Sequence, residues 1–137
     1  MSANDRKVTL DASAVLAFLL RERGYQTVDR LLSVAVVPAS AMVETLYRAA
    51  EKGHRGSPSD THDDLRALGL TVEPVTAADT VRAAELIVVS KTDPAPGSLS
   101  LGDGLCIAVA ERLGLPLTGG DRYWSQVGAS VEFLPFR

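Results

Sequence analysis

Short apolar runs alternate with segments of helical length along the chain, and this alternation constrains the fold more than any other feature. Val34 to Val37 is an apolar, mostly β-branched run closed by Pro38, the pattern of a parallel strand buried on both faces. Lys7 to Leu10, Leu70 to Val75, Leu115 to Thr118 and Ser130 to Leu134 read as further strands, the last at an edge. Helices are predicted over Ala12 to Leu20 (Ser13 near its start, Gly24 breaking the chain after it), Tyr25 to Leu32, Ala39 to Lys52, Pro58 to Leu68, Ala77 to Val89 and Gly102 to Leu113. Asp121 to Val127 suits a last short helix, and Lys91 to Ser100, rich in Pro, Gly and Ser, is the one clear loop. The reading is an α/β fold: a mostly parallel sheet of four or five strands with helices on both faces. A chain of 137 residues fits one domain spanning 1–137, and no repeat, linker or low-complexity stretch divides it.

Several function classes find no support. No apolar run reaches the ~18 residues of a membrane span, and the opening MSANDRKVTL lacks the pattern of a signal peptide. The single cysteine, Cys106, sits in an apolar run and reads as a small buried hydrophobe, consistent with a reducing, cytoplasmic setting. His54 and His62 stand near Gly and Pro breaks and make a poor zinc pair. There is no phosphate-binding GxxxxGK[ST] loop and no GxSxG elbow.

Four acids stand out by position. Ligands of open parallel sheets bind outside the carboxyl ends of the strands. Asp11 ends the first strand, Glu44 lies in the first turns of the helix after Val34 to Val37, Asp103 starts the helix after the loop, and Asp121 follows the strand ending near Thr118. All four are expected at one sheet edge. Asp11 also suits a helix cap, Asp103 an acid favoured by its helix dipole and Asp121 a turn residue. Glu44, set among mostly apolar neighbours, is the hardest to explain structurally, because a buried carboxylate is costly unless paired or bound to metal. Four converging carboxylates suit Mg²⁺ or Mn²⁺, which prefer oxygen ligands. The net charge of −3 is unusual for a nucleic-acid binder, but setting these four acids aside leaves a balance of +1. Arg48, Lys52, His54 and Arg55 form a basic stretch that suits either phosphate contact or a solvated helix end.

The segments VTLDASAVLAFLLRE, VPASAMVETLYR and LSLGDGLCIAVAERLGLPLTGGDRYW resemble the motif blocks of PIN-domain ribonucleases, in particular the VapC-type toxins of toxin–antitoxin pairs. By position, Asp11, Glu44, Asp103 and Asp121 match that family's acidic quartet. The resemblance implies a Rossmann-like α/β/α sandwich, bound Mg²⁺ or Mn²⁺, an RNA substrate, a homodimer and a cognate VapB-like antitoxin. It implies metal-assisted hydrolysis of RNA, with Asp11, Asp103 and Asp121 as direct or water-mediated ligands and Glu44 completing the site or orienting the attacking water. Two positions depart from the pattern. Gly119 stands where the family often has Thr or Ser, with Thr118 displaced by one. Gly104 follows Asp103 where a helix former is usual, and weakens the first turn by roughly 0.5–1 kcal/mol.

Two other readings remain. A metal-dependent phosphohydrolase of the Asp-x-Asp kind wants an acid at the position of Ser13, and a catalytically silent PIN-like interaction module predicts an eroded quartet.

Overall fold

The computed structural model describes residues 5–92, 98–119, 124 and 128–137. Five strands, β1 (Val8–Leu10), β2 (Ala35–Pro38), β3 (Thr71–Glu73), β4 (Leu117–Thr118) and β5 (Phe133–Leu134), form one sheet in the order β3-β2-β1-β4-β5. Every neighbouring pair is parallel, with Thr9 opposite Val36 on one side and Leu117 on the other. Successive residues of a strand point to opposite faces. Val8, Thr9 and Leu10 are nevertheless all buried, as is every residue of β2, so both faces of the sheet centre are covered.

Among the described residues six α-helices flank the sheet: α1 (Ala12–Leu20), α2 (Tyr25–Leu31), α3 (Ala39–Glu51), α4 (Pro58–Ala67), α5 (Ala77–Thr92) and α6 (Leu101–Leu113). Capping fixes where several of them start. Asp11 caps α1, accepting from the Ala14 amide at 2.9 Å. Ser57 and Asp60 form a reciprocal capping box on α4, and Ser100 and Asp103 form the same box on α6. The core combines Val8, Leu10 and Leu117 of the sheet with Val15, Leu65, Leu86 and Ile107 of the helices.

The outline agrees with the sequence expectations, and several boundaries differ for physical reasons. α1 keeps its expected end at Leu20, before Gly24. Arg21 adopts a left-handed conformation, its amide closes on the Ala17 and Phe18 carbonyls, and its guanidinium lies 5.0 Å from the Tyr25 ring. A 3-10 turn over Leu32–Val34 shortens the second strand at its start. β3 keeps only three residues of the expected Leu70 to Val75, as befits an edge strand with one partner. α5 runs on through Lys91 and Thr92, assigned to the loop by sequence, because Thr92 Oγ1 returns a hydrogen bond to the Val88 and Val89 carbonyls. The expected helix over Asp121 to Val127 lies outside the described residues, apart from Trp124. Among the described residues, no helix is long and apolar enough to cross a membrane.

Two clamps hold α5 in place. Arg82 grips Glu111 of α6 with two hydrogen bonds of 2.7 and 3.1 Å. Arg112 of α6 reaches back to Asp79 at 3.0 Å and to Glu73 at 3.1 Å. Burial pushes the Asp79 carboxyl up, but the Arg112 guanidinium and the Thr76 donors outweigh it and hold it below its ordinary value. Nearer the start of α6 the two helices touch at Gly104, where an added Cβ would stand 2.9 Å from Ile87 Cδ1 and 3.2 Å from the Ala83 carbonyl oxygen. Gly104 is thus the residue that lets α5 approach α6.

Gly104→Ala should therefore lower stability even though alanine is the better helix former by about 1 kcal/mol. Overpacking costs about 1–3 kcal/mol. Urea unfolding of the two proteins should show a net loss for Gly104→Ala, and a gain would contradict this contact.

Candidate active site at the carboxyl end of the sheet

The chain begins in the middle of its sheet, moves out through β2 and β3, then returns to β4 and β5 on the other side. Strand order therefore reverses between β1 and β4. Beyond the carboxyl ends of these strands such a reversal leaves a crevice, because the two chains depart in opposite directions. Asp11 follows β1 and Gly119 follows β4.

Asp11 is 6% exposed and is held from two sides. Its amide donates to the Thr118 carbonyl at 3.1 Å, extending the β1–β4 ladder by one rung. Its Oδ1 accepts from the Ala14 amide and from Ser13 Oγ at 2.7 Å, which ties the carboxylate to the first turn of α1. Gly119 closes in from β4 with φ +128, and a Cβ there would fall on the Asp11 carboxylate itself. Sequence reasoning noted Gly119 only as a departure from the family pattern. The structure supplies the reason: a side chain would occupy the volume of the acid.

Asp103 enters from the amino end of α6. Its Oδ2 accepts from the Ser100 amide at 3.2 Å, and its own amide donates to Ser100 Oγ at 3.1 Å. Glu44 enters from α3 and reaches over the start of α6, where a Cβ built on Gly102 would lie 3.8 Å from its Oε1. It is half-buried and faces an open cleft, which corrects the expectation of an apolar surrounding. Its position on the cleft face of α3, and not desolvation, is what sets it apart. Asp121 lies outside the described residues.

Asp11, Glu44 and Asp103 line one cleft of about 740 Å³, together with Ser13, Ser40 and Trp124. Beneath it the buried Cys106 thiol is pushed up first by its burial and then by the charges of Asp11, Asp103 and Glu44. A single thiol thus feels three carboxylates from three separate elements. Ser40 Oγ, one turn before Glu44, is buried without a hydrogen-bond partner among the described residues. Of the basic stretch, Arg48 and Lys52 line the cleft, whereas His54 and Arg55 do not. His62 is elsewhere, with Arg6 and Arg66 in a smaller cleft of about 490 Å³ by the residues that precede β1 and β3. Among the described residues no acid lines that cleft.

The three acids facing the larger cleft offer carboxylate oxygens, the donors that hard divalent cations prefer. Among the described residues no group of three or more His, Cys, Asp or Glu side chains is arranged to hold a metal on its own. Mg²⁺ or Mn²⁺ at these oxygens would have to keep water or substrate oxygens among its ligands.

The sequence profile of the PIN domain family matches residues 8–129, and the chain belongs to that family. Its fold is shared with VapC20 of Mycobacterium tuberculosis, described as a sarcin–ricin loop cleaving toxin. That pair is 19% identical over 90% of this chain and 96% of the other, with a TM-score of 0.69. The DNA-bound VapBC complex of Salmonella typhimurium contains a chain that is 12% identical over 96% and 99%, TM-score 0.70. FitAcB of Neisseria gonorrhoeae contains one that is 19% identical over 93% and 96%, TM-score 0.68. No curated protein sequence matches the chain.

The Gly119–Asp11 contact makes a direct prediction. Gly119→Ala should destabilise the protein by about 2 kcal/mol or more, through overpacking and loss of the α1 cap. Gly128 also has positive φ, but open space surrounds its Cβ position. Gly128→Ala should cost only its backbone strain, about 1 kcal/mol. Equal losses in the two thermal melts would show that Asp11 is not crowded by residue 119.

Proposed function

We propose that the chain is a metal-dependent endoribonuclease acting as the toxin of a VapBC-type pair. The observation that carries this reading is the convergence of Asp11, Glu44 and Asp103, from α1, α3 and α6, on one cleft at the strand-order reversal. Membership of the PIN family and likeness in fold to VapC toxins support it.

In this reading Asp11, Asp103 and Asp121 hold Mg²⁺ or Mn²⁺, directly or through water. Bound there, the ion supplies a Lewis acid that stabilises negative charge developing on the attacked phosphate. The protein's own groups do the rest. Ser13 and the Ala14 amide keep the Asp11 carboxylate from rotating. The Ser100 box does the same for Asp103. Glu44 orients the attacking water and accepts its proton. The water oxygen forms a bond to phosphorus, the ester P–O bond breaks, and the leaving oxygen takes up a proton. Preorganised carboxylates of this kind need no rearrangement as the reaction proceeds.

Purified protein, free of any partner, should cleave RNA with Mg²⁺ or Mn²⁺ and not with EDTA. Asp11→Asn and Asp103→Asn should each lower the rate on the order of 100-fold or more while remaining folded, since asparagine at 11 still caps α1 and Ser100 still caps α6. Full activity in both variants would remove these residues from the site.

A VapB-like antitoxin and a second copy of the chain are the proposed protein partners, and the cytoplasm the proposed compartment. The negative cleft suits a basic insert, with an arginine pairing bidentately to a carboxylate. Co-expression with the neighbouring short reading frame should yield an inactive complex, its mass by light scattering showing two copies of this chain. An active complex, or no complex, would count against the toxin reading.

A further inference from the structure

One face of α3 leads away from the acids. Glu44, Tyr47, Arg48 and Lys52 all line the cleft, whereas Thr45, Leu46, Ala49 and Glu51 of the same helix do not. Residues four apart stand on one helix face about 6 Å from each other along the axis. Glu44, Arg48 and Lys52 are therefore spaced as a row, and Tyr47 sits beside it with 47% of its surface exposed. Arg48 Nε donates to the Tyr47 hydroxyl at 3.4 Å, and its guanidinium lies 6.0 Å from the ring centre, on the edge of contact. Lys52 Nζ stands 3.9 Å from Glu22, an exposed pair that water screens. Arg137 also lines the cleft.

Two features of this row need an occupant. A phosphodiester approaching the acids meets repulsion, so cations must stand within reach to hold the strand. An exposed aromatic ring beside cations suits a base that has left its stack, which only single strands, loops and bulges offer. We propose that Tyr47, Arg48 and Lys52 form the subsite that seats single-stranded RNA to one side of the scissile phosphate. The Tyr47 ring stacks on one base, and Arg48 and Lys52 take successive phosphates. The inference rests on the ribonuclease reading and adds to it the residues that seat the strand beside the acids.

The test is binding of a short fluorescein-labelled single-stranded RNA of mixed sequence, and of its duplex, to the full chain in EDTA, read by anisotropy across a salt series. Tyr47→Ala should weaken single-strand binding about tenfold or more, the loss of one stacked base. Tyr47→Phe should restore it. The double variant Arg48→Ala/Lys52→Ala should flatten the dependence of log affinity on log salt by about 1.4, or about 0.7 for each phosphate released. Arg66→Ala, at the smaller cleft, controls for lost charge and should leave the affinity unchanged. With Mn²⁺ present, Tyr47→Ala should raise KM and leave kcat near the wild-type value. Wild-type affinity in Tyr47→Ala overturns the proposal, as does equal binding of the duplex. So does a Tyr47→Ala variant that keeps RNA affinity but loses the co-expressed protein partner, which would make this face a protein-docking surface. If RNA is bound through Tyr47 but cleaved under no condition, the ribonuclease reading fails and the subsite stands. If RNA is cleaved and Tyr47→Ala cleaves it as the wild type does, the subsite fails and the ribonuclease reading stands.

Discussion

Everything at the site depends on β1 being buried on both faces at the middle of a parallel sheet. Val8, Thr9 and Leu10 have neither solvent nor a sheet edge beside them, so the strand cannot slip in register without exposing apolar groups or breaking ladder bonds. Its carboxyl end is therefore fixed, and the residue placed there inherits the fixation. That residue is Asp11. The reversal of strand order between β1 and β4 opens the crevice at the same point, so position and access come from one topological fact.

The structural role of the acids is compatible with the one proposed for them in the cleft. Asp11 and Asp103 each satisfy donors at the start of a helix, α1 and α6. A carboxylate at a helix amino terminus is stabilised by the dipole and by the orphan amides. Those interactions help offset the cost of holding like charges together above Cys106. The structural readings, a helix cap for Asp11 and a first-turn acid favoured by the helix dipole for Asp103, thus agree with where the two residues stand and do not compete with a role in the cleft. Glu44 has no such structural occupation, since it lies past the first turn of α3 and faces the cleft from its side.

Much of this was legible in the sequence because it is local. The β-branched run at Val34 to Val37 and the acids at helix starts each specify an element without reference to the rest of the chain. The placement of three acids at one edge also followed, since strand ends can be located even when their neighbours cannot. What escaped is non-local. The purpose of Gly104 lies in Ile87 and Ala83, and that of Gly119 in Asp11, contacts between elements that no window of sequence contains. The division of the basic stretch, with Arg48 and Lys52 on the cleft and His54 and Arg55 off it, depends on where α3 ends and turns. Glu44 was picked out for its apolar neighbours in sequence, yet in space it borders open volume, because helix neighbours in sequence face different directions.

We propose that these carboxylates form a divalent-cation site, and thermal unfolding with Mn²⁺ against EDTA tests this most directly. A ligand bound only by the folded state at a hundred times its dissociation constant adds about 2.7 kcal/mol. For a domain of this size the melting temperature should rise on the order of 10 °C. Asp103→Asn removes one negative charge, keeps the cap, and should melt higher than wild type in EDTA while gaining less from Mn²⁺. A wild-type melt unchanged at saturating Mn²⁺ would contradict the account.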